Sequence, residues 1–280
     1  MGVTPATPKE KMTSSYSDIL ERIEAALAAA ADVFGRFSAG AIAAQFKAGH
    51  DPVTEADRAI DGVLRQNLLR EGEGWLSEES VDDLSRLDCQ HVWVVDPLDG
   101  TREFVKGIPE FCTSIGYVEN GRPVAGGIHN PATQETFIGA LDAGVVYNGR
   151  PARASQRASL RGALVLASRS EVKRGEWQQF EGGPLQVKAM GSVAYKLALV
   201  SAGLADITFT LTPKNEWDVA AGVALVLGAG GFVKTLENAA FTGNNRNPLL
   251  SGLLAGGPFL EEELLSVLAR APSGNSAAGK

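Results

Sequence analysis

Two aspartates three residues apart, Asp96 and Asp99, stand in the most informative segment of the sequence, Asp-Pro-Leu-Asp-Gly-Thr. The apolar run 92–95 before them predicts a strand buried on both faces, and the carboxyl ends of strands are where sites collect. The proline fixes one backbone angle and Gly100 permits a sharp bend, so both carboxylates and the Leu98 carbonyl can face one point. Two carboxylates about 4 Å apart repel by roughly 4 kcal/mol at an effective dielectric constant of 20, which protonation, separation or a bound cation relieves.

An ordinary aspartate-rich turn is the alternative interpretation, and three further acids bear on the choice. Asp51 stands in Asp-Pro-Val-Thr, Glu78 in Ser-Glu-Glu-Ser, and Asp218 follows Trp217. Taken singly, each favours a simple role, as a solvated loop acid or, for Asp218, as the N-cap of its helix. Taken with the six-residue segment, they favour an oxygen cage around a cation.

The elements that must position these acids are predicted from periodicity and turn residues. Residues 18–37 have the spacing of an amphipathic helix, and Thr54 begins a second helix with a start that resembles a capping box. Asn120-Gly121 predicts a hairpin between strands at 114–118 and 124–128. Further predicted elements are strands at 136–140, 144–147, 205–211 and 231–235 and helices at 192–202, 218–228 and 259–270.

The length of 280 residues predicts about two domains. The polar, Arg- and Ser-rich stretch 151–160 suggests the boundary between them. The expected order is a flexible tail at 1–15, an N-terminal α+β domain at 16–150 with most of the candidate acids, a C-terminal α/β domain at 151–270 that supplies Asp218 and substrate contacts, and a flexible tail at 271–280.

The composition disfavours several classes of protein. Lys+Arg 26 against Asp+Glu 33 gives a net charge of -7, which opposes general binding to nucleic acid or to an anionic membrane. The two cysteines, Cys89 and Cys112, exclude a disulfide framework and a zinc finger. Because no apolar run reaches the roughly 18 to 20 residues of a membrane span and no apolar signal core is present, we expect a cytoplasmic protein without nucleic-acid or membrane partners.

Four blocks of sequence together resemble a known family. The blocks are 51–57, 78–79, 93–101 and 217–222, and they have the order and spacing of the inositol monophosphatase-like phosphatases, which are magnesium-dependent and lithium-sensitive. The resemblance spans about residues 18 to 270, and the segment Asp-Gly-Thr-Arg-Glu-Phe from Asp99 onward is most similar to the 3'(2'),5'-bisphosphate nucleotidase branch. It implies an α+β fold, a layered αβαβα sandwich of the inositol monophosphatase and sugar phosphatase type, and a homodimer.

Matching positions imply a role for each residue of the blocks. The implied metal ligands are Glu78, Asp96, Asp99, Asp218 and the backbone carbonyl of Leu98. Asp51 would help to hold a further metal and, with Thr101, orient the attacking water. The implied substrate contacts are Glu78, Leu98, Asp99, Gly100, Thr101, Ser192, Lys196 and Asp218, with the amides of Gly100 and Thr101 receiving phosphate oxygens at a helix start. A donor set of oxygens alone implies Mg²⁺, two or three per site, with Mn²⁺ as a substitute.

The implied function is a metal-dependent phosphomonoesterase acting on a small phosphorylated metabolite. The preferred substrate is the 3'-phosphate of adenosine 3',5'-bisphosphate, because Leu211 stands where inositol monophosphatases have an acid, unless it simply ends a buried strand. The candidates for contact with a second phosphate are Arg102, Lys106, Lys196 and Lys214. The alternatives are an inositol monophosphatase or fructose 1,6-bisphosphatase and, from another class, a catalytically silent ligand-binding regulator. A dinucleotide-dependent oxidoreductase is disfavoured because no Gly-x-Gly-x-x-Gly motif follows a strand.

Overall fold

The computed structural model of the protein describes residues 15–41, 45–46 and 52–270. The helices are α1 (Ser17–Phe34), α2 (Glu55–Leu68), α3 (Thr101–Val105), α4 (Arg169–Lys173), α5 (Val193–Ser201), α6 (Glu216–Gly228) and α7 (Glu261–Arg270). The strands are β1 (Gln45–Phe46), β2 (Pro52–Val53), β3 (Gly74–Ser77), β4 (His91–Asp99), β5 (Cys112–Glu119), β6 (Arg122–Asn130), β7 (Glu135–Ala140), β8 (Gly144–Tyr147), β9 (Arg150–Ala152), β10 (Leu164–Ser168), β11 (Gln186–Met190), β12 (Ile207–Thr210), β13 (Lys214–Asn215), β14 (Phe232–Thr235), β15 (Leu249–Leu250) and β16 (Leu253–Gly256). Across these described ranges, no helix combines the length and apolar character needed to span a bilayer.

A seven-stranded sheet in the order β3-β4-β5-β6-β7-β8-β9 carries the first half of the chain. Strand β3 runs parallel to β4, and the later neighbours are antiparallel. The turn between β5 and β6 has Asn120 at φ 49° and Gly121 at φ 78°, a left-handed pair that suits the right-handed twist of a hairpin. The predicted hairpin is therefore confirmed.

A second, five-stranded sheet in the order β11-β10-β12-β16-β14 lies in the second half of the chain. Strand β10 is parallel to β11 and β12, whereas β16 is antiparallel to both of its neighbours. Its two faces are apolar and contribute to different cores, since Leu166 and Ala255 face one cluster and Val165 and Ile207 face another.

The helices complete a layered arrangement. Helices α1 and α2 cover one face of the seven-stranded sheet, α5 and α6 lie between the two sheets, and α4 and α7 cover the outer face of the five-stranded sheet. These are the α, β, α, β, α layers expected from the sequence, and the fold is α+β. Because α6 packs against both sheets, the helix that carries Asp218 stands directly against the sheet that carries Asp96. The proposed boundary near residue 150 separates the two sheets and stays a prediction.

Candidate active site

Three of the predicted acids meet at one point. Asp96, Asp99 and Asp218 each offer a carboxylate oxygen, and these oxygens lie within 4.8 Å of one another. Asp96 and Asp99 stand at the end of β4, while Asp218 lies in the first turn of α6. Glu78, which follows β3, lines the same cavity. The structure thus brings together acids that are far apart in the sequence.

Each of the three carboxylates accepts hydrogen bonds that hold it in place. Asp96 Oδ1 accepts from the amide of Leu98 at 3.0 Å. Asp99 Oδ2 accepts from the Ser192 hydroxyl at 2.8 Å and from the Ala194 amide at 2.6 Å. Asp218 Oδ2 accepts from the Asn215 amide at 2.9 Å, as part of a capping box at the start of α6. The alternative in which Asp218 is the N-cap of its helix is wrong, because Asn215 is the N-cap and Asp218 is the third residue of α6, where it completes the capping box.

Burial and mutual repulsion make this group costly in its ionised form. Burial, followed by the charges of Glu78, Asp99 and Asp218, raises the pKa of Asp96 well above its usual range. Burial, followed by the charges of Asp99 and Glu78, raises the pKa of Asp218 to about 8. A divalent cation removes this repulsion, and carboxylate and carbonyl oxygens are the donors that Mg²⁺, Ca²⁺ and Mn²⁺ prefer. The donor set of this group, with the Leu98 backbone lining the same cavity, fits such an ion.

The turn after Asp99 depends on a glycine. Gly100 has φ 96°, and a Cβ at this position would lie 2.7 Å from the Glu110 carbonyl oxygen and 3.1 Å from the Phe111 backbone. Any larger residue would be strained and would clash with backbone atoms. The glycine therefore lets β4 pass directly into α3, which begins at Thr101 at the edge of the cavity.

Asp57 is the acid that faces Thr101, and sequence reasoning missed it. The Thr101 hydroxyl lies 3.1 Å from Asp57 Oδ1 and 2.9 Å from the Leu98 carbonyl oxygen. Asp57 also closes the capping box of α2, since its Oδ2 accepts from the amide of Thr54 at 2.7 Å. In the sequence, Asp57 was recognised only as part of the helix start at Thr54, where the Thr-x-x-Asp spacing indicates a capping box. Asp51, the predicted partner of Thr101, lies outside the described residues.

Basic side chains line the cavity beside the acids. The cavity has a volume of about 420 Å³, and its basic residues are Arg102, Lys106, Arg169, Lys173, Lys196 and Lys214. Four of these were predicted as contacts for a second phosphate. Arg169 and Lys173 were not, because they belong to the short helix α4, which has no motif. Several of the basic groups already bond to the protein: Arg169 pairs with Glu110, Lys214 Nζ donates to the Thr212 hydroxyl at 3.0 Å, and Lys196 Nζ donates to a backbone carbonyl.

Ser192 and Lys196, which were predicted as substrate contacts, line the cavity together with the acidic group. Ser192 adopts φ 52° and caps α5, with its hydroxyl bonded to Asp99. The side chain of Lys196 is 2% exposed, and its Nζ donates to the Ser192 carbonyl at 2.9 Å. Burial lowers the pKa of Lys196 to about 8, although the charge of Asp99 opposes that shift. Lys196 and Asp99 line the same cavity.

Leu211 does not line the cavity in the part of the chain that the structure describes. It packs against the core of the five-stranded sheet, and its amide donates to Glu171 Oε1 at 3.2 Å. The alternative in which this leucine simply follows a buried strand is the one that the structure shows, so Leu211 gives no support to an adenine-containing substrate.

The layered fold, with an acidic group and basic side chains in one cavity, defines a phosphoric monoester hydrolase of metal-dependent type. The family model described as "Inositol monophosphatase family" matches residues 15–272. An inositol-1-monophosphatase of Mesorhizobium japonicum is 34% identical over 227 residues, which cover 78% of this chain and 83% of that protein. A fructose-1,6-bisphosphatase/inositol-1-monophosphatase of Thermotoga maritima is 30% identical over 221 residues, which cover 78% and 82%. The chain belongs to the inositol monophosphatase family.

The solved structures agree with this assignment. An inositol monophosphatase from Anabaena superimposes with a TM-score of 0.78 at 29% identity, covering 92% of this chain and 98% of that one. Several relatives carry the name inositol-1-monophosphatase and others the name Nus factor SuhB, as in Xylella fastidiosa at 33% identity over 79% of this chain and 83% of that protein. These names favour the inositol monophosphatase alternative over the bisphosphate nucleotidase branch that was preferred from the sequence.

Proposed function

We propose that the protein hydrolyses inositol 1-phosphate or a closely related small phosphomonoester, with Mg²⁺ as its metal. The observation that carries the proposal is the group of three carboxylate oxygens within 4.8 Å, placed beside basic side chains in one cavity. Asp96, Asp99 and Asp218 would hold the metal, with Glu78 and the Leu98 carbonyl as further ligands. When bound, the metal supplies an acidified water and neutralises charge on the phosphate.

Thr101 and Asp57 would orient the attacking water. The Thr101 hydroxyl has two acceptors within reach, Asp57 Oδ1 at 3.1 Å and the Leu98 carbonyl oxygen at 2.9 Å, and with its proton directed to either of them its oxygen would accept from the water. Burial raises the pKa of Asp57, which makes this carboxylate a better proton acceptor than an exposed aspartate. The further role predicted for Asp51 remains part of the proposal.

The phosphate would lie between the acids and the start of α3. The amides of Gly100 and Thr101 would donate to its oxygens, and Ser192 and Lys196 would border it from α5. Phosphoryl transfer requires little covalent chemistry from a protein, so positioning and charge neutralisation account for most of the catalysis. These residues lie around one cavity, which satisfies the positional requirement.

A second candidate substrate is a bisphosphorylated nucleotide such as adenosine 3',5'-bisphosphate. The observation that favours it is the set of six basic side chains around the cavity, of which Arg169, Lys196 and Lys214 also bond to protein groups. Inositol itself is a neutral polyol and offers no partner for these cations. The names of the relatives favour inositol 1-phosphate, and the basic side chains around the cavity favour the bisphosphorylated nucleotide.

Phosphate release from inositol 1-phosphate, adenosine 3',5'-bisphosphate and fructose 1,6-bisphosphate, each with Mg²⁺ and with chelator, tests the proposal. We expect hydrolysis of inositol 1-phosphate that stops with chelator and returns with Mg²⁺. A tenfold higher kcat/KM for the nucleotide would select the second candidate. No release from any of the three substrates would favour a catalytically silent regulator. Inhibition by LiCl and the mass of the protein in solution test the further proposals of lithium sensitivity and a homodimer.

A further inference from the structure

A buried arginine, Arg86, joins distant parts of the chain without lining the cavity in the described residues. Arg86 is 1% exposed and belongs to the short 3₁₀ helix Ser85–Asp88, in the segment that follows Glu78. Its Nη2 donates to Asp82 Oδ2 at 2.8 Å, and its Nε lies 3.1 Å from the other carboxylate oxygen. This bidentate ion pair uses only one edge of the guanidinium group, which leaves donors for other partners.

The remaining donors of Arg86 bind a loop from the other half of the chain. Nη1 donates to Asn244 Oδ1 at 2.7 Å, and Nη2 donates to the Asn245 carbonyl at 2.9 Å. Asn244 returns a bond from its Nδ2 to the Arg86 carbonyl at 3.1 Å. The two asparagines then donate to Glu216, through the Asn244 amide at 2.6 Å, the Asn245 amide at 2.9 Å and Asn245 Nδ2 at 2.8 Å.

This chain of hydrogen bonds ends at the start of the helix that carries Asp218. Glu216 is the first residue of α6, is 1% exposed, and stands two positions before Asp218. At the other end, Arg86 pairs with Asp82, four residues after Glu78, and packs against Gly74, the first residue of β3. The network therefore joins the segments on either side of Glu78 to the helix that carries Asp218.

We propose that Arg86 is a positioning residue that fixes the separation between Glu78 and Asp218 and thereby sets the affinity of the metal site. The inference rests on the proposed function, because it takes these two acids as metal ligands. Arg86 does not border the cavity in the described part of the chain, so it acts through the elements that it joins. Residues that orient metal ligands typically change metal affinity or activity by about 10- to 100-fold when they are replaced.

The test replaces Arg86 with methionine, which keeps the length of the side chain but removes its donors. Calorimetric titration of the folded protein with Mn²⁺ should show affinity about 10- to 100-fold weaker than in the wild type. The kcat at saturating metal should stay within about threefold of wild type, because no group that contacts the substrate has changed. Circular dichroism and thermal unfolding establish how much stability the variant loses.

Arg22→Met is the matched control. Arg22 is also buried, at 7% exposed, and its Nη1 donates to Glu73 at 2.9 Å while its guanidinium lies 4.9 Å from the Trp93 ring centroid. The hydrogen-bond partners of Arg22, which are Glu73 and the Leu68 carbonyl, belong neither to the segment that follows Glu78 nor to the loop that binds Glu216. This variant should lose comparable stability and keep the wild-type affinity for Mn²⁺.

The possible outcomes separate the inference from the function on which it rests. If the wild type fails to bind Mn²⁺, or if Asp96→Asn binds it equally well, the proposed metal site is wrong. If the wild type binds but Arg86→Met binds with unchanged affinity, or if both arginine variants lose affinity equally, the positioning role is wrong. Should Arg86→Met fail to fold, Asn244→Gly decides, because glycine tolerates the φ of 61° at this position while both side-chain bonds to Arg86 are lost. Unchanged affinity in that variant also overturns the inference.

Discussion

Replacing Asp96 with asparagine should stabilise the metal-free protein and abolish its stabilisation by Mg²⁺. Asp96 is 1% exposed and lies within 4.8 Å of carboxylate oxygens of Asp99 and Asp218. Asparagine has nearly the same shape, and its side-chain oxygen can still accept from the Leu98 amide at 3.0 Å. The substitution therefore removes a charge while leaving the local hydrogen bond in place.

The size of the effect follows from the separation of the carboxylates. Two unit charges 4.8 Å apart repel by about 3.5 kcal/mol at an effective dielectric constant of 20. The group relieves part of this repulsion by taking up a proton, so we expect a realised gain of about 1–3 kcal/mol in the free energy of unfolding. In a protein of this size, that gain raises Tm by about 2–10 °C.

The stability of the metal-free protein should also depend on pH. Burial and neighbouring charges raise the pKa of Asp218 to about 8, so the folded protein binds more protons than the unfolded chain between the ordinary aspartate pKa and pH 8. The stability of the metal-free protein should therefore fall as the pH rises from 6 towards about 8. The fall should be smaller in Asp96→Asn, because Asp96, whose own pKa is raised by burial and by the charges of Glu78, Asp99 and Asp218, no longer titrates.

Thermal unfolding with chelator and with Mg²⁺, across this range of pH, measures the effect. Glu171→Gln is a suitable control, since Glu171 is fully buried but accepts from the Trp177 indole at 3.0 Å and the Thr212 hydroxyl at 2.8 Å. That variant should be less stable than wild type. A metal-free Asp96→Asn protein that melts below the wild type, or that is still stabilised by Mg²⁺ to the same degree, would refute the reasoning.

Three further predictions concern turnover. Asp99→Asn should abolish phosphate release while circular dichroism shows an intact fold, and near-parental rates at saturating Mg²⁺ would contradict the metal site. Thr101→Val should lower kcat by about 10²- to 10⁴-fold with little change in Mn²⁺ affinity, because it removes the hydroxyl bonded to Asp57; a loss confined to KM would argue against a role in orienting water. The pKa of Lys196, lowered to about 8 by burial, predicts that KM for the phosphate ester rises as the pH increases through 8, since the ammonium loses its charge. Lys196→Met should show a high KM without that rise, and a wild-type profile in this variant would exclude Lys196 from the substrate site.

Local signals in the sequence predicted much of the first sheet and its helices. The apolar face of α1, the helix start at Thr54 and the Asn-Gly turn after β5 each depend on neighbouring residues, and the structure confirms them. Strand β11 gave no such signal, because it lies at the edge of its sheet and its residues at 186–188 are exposed. Its place depends on pairing with β10, which is a contact between distant parts of the chain.

In the site, too, some residues have a local signal in the sequence and others do not. Asp96 and Asp99 were predictable because their type, spacing and position after a buried strand limit what they can do. Asp57 was not assigned to the site, because its spacing already fitted a capping box and only the folded chain shows Thr101 beside it. The bonds between Arg86 and Asn244 have no local signal at all, since the two residues meet only after both halves have folded.

Anomalous scattering from a crystal grown with Mn²⁺ would locate the metal relative to the three aspartates. We expect at least one strong peak bounded by carboxylate oxygens of Asp96, Asp99 and Asp218, and the loss of that peak in crystals treated with chelator. If the protein hydrolyses a phosphoester but its crystals in saturating Mn²⁺ show no peak among these three residues, the proposed metal site is wrong.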